Sequence, residues 1–166
     1  VPLFSTQLSL LYQGKPIFGL VFNPLTDQLY SGSAMTPTNI NGRSVRVSQA
    51  NKLSEAFIIG GISSHRENWE HDKSWIIAKY TKLVLECQRV RTLGSGGLCA
   101  AWVASGGMDA LVYLTCEKPE EIFPGQALIN FAGGVTELVD LPEVIGPRYI
   151  AGNEVLVRQL KEFLLS

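Results

Sequence analysis

Arg91-Thr-Leu-Gly-Ser-Gly-Gly-Leu-Cys-Ala-Ala-Trp-Val-Ala-Ser-Gly-Gly-Met-Asp109 reads as a strand end, a glycine-rich turn and a helix of small residues in succession. Backbone N–H groups of Gly94, Ser95, Gly96 and Gly97 can crowd an anion there, because almost no Cβ atoms intervene. The helix that follows adds its unpaired first-turn donors and the positive end of its dipole. The turn therefore reads as a phosphate cradle. Its alternative is a tight strand-to-helix turn with no ligand.

Working outward, the same alternation continues. Arg89 to Leu93 reads as a strand, Gly96 to Ser105 as a helix and Asp109 to Leu114 as a strand, and a helix then runs from Ile122 to Ala132 and stops at Gly133-Gly134. Pro124 has no N–H and fits only a first turn, which puts the start of that helix near Glu120 or Glu121. Val135 to Val139 and Tyr149 to Ala151 supply further strands, and Asn153 is an N-cap for a closing amphipathic helix carrying Leu156, Leu160, Phe163 and Leu164. Toward the N-terminus, Phe4 to Tyr12 and Pro16 to Asn23 form a hairpin about Gln13-Gly14-Lys15, and Gln28 to Ala34 continues the meander. Asn41-Gly42 ahead of Arg43 to Val47 is the strongest short hairpin signal in the chain. Ala56 to Ile62 is a short apolar strand, and Trp69, Ile76, Tyr80, Leu83 and Cys87 recur at helical spacing along one stripe. The fold class is α/β (α+β layered): an antiparallel sheet, then alternating helices and strands, in sheet, helix, sheet and helix layers of one domain over residues 1–166.

Composition narrows the function. At 166 residues the chain is long enough for one domain with a core and short for two. Its 14 basic and 15 acidic residues leave a net charge of -1, which gives no footprint for nucleic acid and no basic run for a membrane surface. A small polar or anionic ligand fits better. Charged residues make up 17%, against about 25% in ordinary soluble domains, so the chain is expected to expose apolar surface that something else covers. Cys87, Cys99 and Cys116 lack C-x-x-C or zinc-like spacing and read as free, buried thiols in a reducing compartment, the cytoplasm. No apolar run approaches the roughly 18 residues of a membrane helix. Val1-Pro2 opens the chain without an initiator Met, which fits either Met removal or a chain whose beginning lies elsewhere.

Four runs in order carry a family resemblance. Gly19-Leu-Val-Phe-Asn-Pro-Leu-Thr-Asp-Gln-Leu-Tyr30, Asn41-Gly42-Arg-Ser-Val-Arg-Val-Ser48, Arg91 to Asp109, and Ala132-Gly133-Gly134-Val135 together resemble the inositol monophosphatase family. The resemblance implies a layered α/β/α/β/α sugar-phosphatase fold, a homodimer, and Mg2+-dependent, lithium-sensitive hydrolysis of inositol phosphates or related sugar and polyol phosphates. It covers the whole chain but only about the last two-thirds of a family member. The family's Glu-Glu pair and Asp-Pro-Ile/Leu-Asp-Gly-Thr motif, which carry most of the metal ligands, are not in this sequence. Its aspartates are Asp27, Asp72, Asp109 and Asp140, none followed by Gly-Thr. The family's late Trp-Asp-x-Ala-x-Gly motif aligns with Glu120-Glu121-Ile122-Phe123-Pro124-Gly125, which places Glu121 on the metal-ligating Asp.

Glu121 is thus the candidate catalytic and metal-binding residue, and a helix-capping carboxylate is its other reading. The extra methylene displaces that carboxylate by about 1.5 Å, in a shell that tolerates about 0.5 Å. Gly94, Ser95, Gly96 and Glu117 are the candidate substrate and phosphate contacts, and Glu117 and Tyr113 both lie near the family's sugar-hydroxyl acceptor. Their alternative is a solvated loop. The run His65-Arg-Glu-Asn-Trp-Glu-His71-Asp72 mixes imidazoles and carboxylates but has no standard metal spacing, so it reads as a polar helix-start loop. Arg91 could steer phosphate, or be structural. Two functions follow: a Mg2+-dependent phosphomonoesterase whose chain alone is inactive, or a non-catalytic relative that binds a phosphate ligand or a partner. In either case the sheet is expected to be left with an open edge.

Overall fold

Short polar turns between alternating strands build the first layer. The computed structural model describes residues 2–166, and the reading placed on Val1 lies outside them. Strands β1 (Thr6–Tyr12), β2 (Lys15–Asn23), β3 (Gln28–Ser33), β4 (Thr36–Ile40) and β5 (Arg43–Ser44) form an antiparallel meander in sequence order. The Asn41-Gly42 turn between β4 and β5 has φ of 49° and 83°, the left-handed pair that a two-residue hairpin turn requires. Asn41 also joins two turns, since its Oδ1 accepts the Leu29 N–H at 2.7 Å and its Nδ2 donates to the Asp27 carbonyl at 2.9 Å.

The second sheet takes the order β7-β6-β8-β10-β9. Its strands are β6 (Phe57–Gly61), β7 (Arg89–Arg91), β8 (Ala110–Tyr113), β9 (Val135–Val139) and β10 (Arg148–Gly152). β6 pairs parallel with both β7 and β8, and parallel pairing demands crossovers, here α1 (Trp69–Glu86) and α2 (Gly96–Ala104). The helices α3 (Pro119–Phe131) and α4 (Glu154–Leu165) complete the set. The two-residue period of the strands sorts the core into two. Ile59, Leu111, Tyr149 and Ala151 face α2, α3 and the first sheet, while Ile58, Ala110, Val112 and Ile150 face α1 and α4. The result is the expected order of sheet, helix, sheet and helix, with α2 and α3 sandwiched between the sheets.

Three details depart from expectation. α3 begins at Pro119 with Lys118 as N-cap, so Pro124 lies inside the helix and not in its first turn. It cannot donate to the Glu120 carbonyl, and the helix persists because its Ile122, Ala127, Leu128 and Ile129 are buried. Gly19 of β2 makes this packing possible: a Cβ there would lie 2.5 Å from the Pro124 carbonyl oxygen and 2.7 Å from the Ala127 Cβ. The expected strand Arg43 to Val47 shortens to β5, because Val47 turns away to donate its N–H to the Ala132 carbonyl at 3.3 Å. Along α1, charged Asp72 and Lys79 share the buried side with Ile76 and Leu83.

The expected apolar surface lies on the first sheet. Gly19 and Val21 face α3, so their neighbours Phe18, Leu20 and Phe22 face away, opposite Leu10, Leu8 and Thr6 of β1. Leu8 is 55% and Leu10 56% exposed, and β1 forms a sheet edge. No helix among the described residues is long and apolar enough to cross a membrane.

Candidate active site

Parallel strands gather their carboxyl ends on one side, and loops leaving those ends converge. Here the ends of β6, β7 and β8 release the segments 61–66, 92–96 and 113–117, and these enclose a cavity of about 390 Å³. Gly94 and Gly96 line it from the N-terminus of α2, and Glu117 and Glu121 line it from the N-terminus of α3. Gln7 from β1 and Ser63 from the loop after β6 add polar groups, and Tyr113 also lines the cavity. The two helix ends are electrically unlike. α3 carries Glu120 and Glu121 in its first turn, whereas α2 has no acidic residue there, so its positive end is uncompensated.

The carboxylates are not free. Arg66, on the loop between β6 and α1, donates through one nitrogen, Nη2, to Glu121 Oε2 at 2.6 Å and also to Glu117 Oε2. The second oxygen of Glu117 accepts the Thr115 hydroxyl at 3.0 Å. Burial pushes the Glu117 carboxyl above its ordinary range, and the Arg66 hydrogen bond holds that of Glu121 below it. Burial likewise drives the Tyr113 hydroxyl well above its usual value. Arg66 was not singled out by sequence reading. Its position five residues past the end of a parallel strand is the signal that could have found it, since ligands collect at such ends.

The candidates of the sequence are partly brought together. Gly94, Gly96, Glu117, Glu121 and Tyr113 line one cavity. Ser95 does not line it: it is buried as the N-cap of α2, with its hydroxyl 3.5 Å from that of Ser5. Arg91 is exposed and donates to the Val90 carbonyl. Within the run His65 to Asp72, Asn68 stands at the N-cap position of α1 without a side-chain capping bond. Asp72, however, is buried against Arg148 at 2.5 Å, and His71 Nδ1 lies 2.5 Å from its other oxygen. Asp109 is spent on the Ser48 hydroxyl and the Phe57 N–H, before the start of β8. Of the cysteines expected to be buried, Cys87 and Cys99 are, and Cys116 is half-buried because it sits on the loop beside the cavity.

Magnesium requires near-octahedral oxygen ligation at about 2.0–2.1 Å. Among the described residues no group of three His, Cys, Asp or Glu side chains could hold a metal ion. The two carboxylates that do meet already share a guanidinium. The donor set of this chain, as folded, does not fit a magnesium ion.

Comparison with known proteins places the chain in a family. The chain is 32% identical over 162 residues to an inositol-1-monophosphatase of Mesorhizobium japonicum, covering 96% of this chain and 59% of that protein. It is 28% identical over 155 residues to a fructose-1,6-bisphosphatase/inositol-1-monophosphatase of Aquifex aeolicus, covering 93% and 57% respectively. An inositol monophosphatase structure from Anabaena superposes with a TM-score of 0.83 at 26% identity, over 96% of this chain and 63% of the other. The chain thus spans less than two thirds of the length of these relatives. The match to the family's own sequence model runs over residues 1–165, from the first hairpin to the closing helix, and on that extent the chain belongs to the inositol monophosphatase family.

Proposed function

We propose that the cavity takes a small phosphate ester of the inositol monophosphate or sugar and polyol phosphate class. Its phosphate lies against Gly94 to Gly96, where the first-turn N–H groups of α2 have no helical acceptor, and its hydroxyls turn toward Glu117. The activity assigned to the protein is Mg2+-dependent phosphomonoester hydrolysis, in the cytoplasm and as a homodimer, with this chain alone binding but not hydrolysing. One observation supports the reading: a helix N-terminus with no acidic residue in its first turn and the Glu117 and Glu121 carboxylates line one cavity at the ends of parallel strands. Glu121 is the assigned metal ligand and catalytic carboxylate, a role it can take only after release from Arg66.

A second reading has an observation of its own. The Arg66 pairing favours a non-catalytic relative that binds a phosphate ligand or a partner. Both readings are tested by phosphate release from inositol 1-phosphate with Mg2+, with lithium as inhibitor, alongside amide NMR titration with the same ester. Binding at Gly94 to Gly96 without release is the expected result. Release abolished by Glu121→Ala would mean that a complete site exists here, and absence of any amide shift would remove the phosphate reading.

A further inference from the structure

We propose that Arg66 is the resident cation of this pocket, and that while seated it keeps a divalent ion from the Glu117 and Glu121 carboxylates. The placement is specific. A single nitrogen, Nη2, serves Oε2 of both residues, at 2.6 Å from Glu121 and closer still to Glu117. An ion bridging these two oxygens at about 2.0–2.1 Å has to take the place of that nitrogen. Guanidinium and divalent ion are therefore mutually exclusive at this point.

Charge and burial give the same answer. The Glu117 side chain is only 12% exposed, and a carboxylate so placed needs a charged partner. Arg66 supplies it, as a permanent positive charge. The other Glu117 oxygen accepts the Thr115 hydroxyl at 3.0 Å, which fixes the carboxylate's orientation. The arginine is also held from behind. Two residues on, Asn68 at the start of α1 donates to buried Asp72 at 2.6 Å, and Asp72 is paired with Arg148. The loop that presents Arg66 is thus stapled to the core at its far end. Phosphate plays no part in this proposal, which extends beyond the ester reading and survives its failure.

The test is Mn2+ titration of the purified chain, read from the electron paramagnetic resonance of the free ion. Arg66→Gln should bind Mn2+ at least about tenfold more tightly than the wild type, which corresponds to about 1.4 kcal/mol. Arg66→Gln combined with Glu121→Gln should return the affinity to the wild-type level. Arg66→Lys, which retains the charge, should stay near the wild type. Equal Mn2+ affinity in the wild type and Arg66→Gln would overturn the proposal. So would wild-type Mn2+ binding that disappears in Glu121→Gln, a result that needs no arginine variant to fold.

Discussion

Asp72→Asn should destabilise the fold by about 3–5 kcal/mol, because it leaves the Arg148 guanidinium buried without a counter-charge. Both side chains are 0% exposed, with Arg148 Nη2 2.5 Å from Asp72 Oδ2. Asp72 further accepts from Asn68 at 2.6 Å and from the Ile145 N–H at 3.2 Å, so it ties the start of α1 to the loop before β10. Acid titration provides an independent magnitude. Burial pushes the Asp72 carboxyl upward, but hydrogen bonds from His71, Asn68, Arg148 and Ile145 outweigh it and hold the group at about 2, against an ordinary 3.8. At about 1.4 kcal/mol per pH unit, that gap is worth about 2.5 kcal/mol. Because the folded carboxyl titrates below the unfolded one, this stability is whole above pH 3.8 and is lost as the pH falls toward 2. Urea denaturation followed by tryptophan fluorescence, from neutral pH into this window, measures both effects. The variant should lose stability at neutral pH and show a flattened acid limb, and adding Arg148→Met should restore part of the loss. A loss under about 1 kcal/mol, with an acid limb parallel to the wild type, refutes the reasoning.

Gly19→Ala should cost about 1–3 kcal/mol by forcing α3 off β2, seen as a lower thermal midpoint; an unchanged midpoint would mean that the helix shifts freely. Asn153→Ala should cost about 2 kcal/mol. It removes the cap on the Leu156 N–H at 2.9 Å and the bonds to the Ser48 and Ala50 carbonyls at 2.9 and 2.7 Å, and chemical denaturation checks the loss. In the folded chain, alkylation at mildly alkaline pH should label Cys116 first. Cys99 is pushed up to about 11 and Cys87 to about 12 by burial, which leaves almost no thiolate to react; mass spectrometry showing early label on Cys99 contradicts this.

Much of the fold was legible because its signals are local. Asn41-Gly42 dictates a hairpin through its own backbone preferences, and Gly133-Gly134 ends a helix where expected. The adjacent pair Ile58 and Ile59, buried on opposite faces, belongs to the apolar run of a strand covered on both sides. Pro124 misled for the same reason: its local preference points to a first turn, and burial between two sheets overrode it. The candidate site was legible where glycine spacing speaks, at Gly94 and Gly96, and where a family motif aligns, at Glu121.

By itself the sequence determined the layer order, the positions of most turns, the glycine stop of α3, and membership in a family of phosphate-ester enzymes. Those depend on residues within a few positions of one another, or on patterns read in order. Only the tertiary structure decided which charges meet. Arg66 and Glu121 are 55 residues apart in the chain, and Asp72 and Arg148 are 76 apart. Pairing at that separation follows from the crossing of strands and helices, and nothing in the local sequence encodes it. For that reason a run taken for a polar helix-start loop turned out to hold both the staple of α1 and the cation of the pocket.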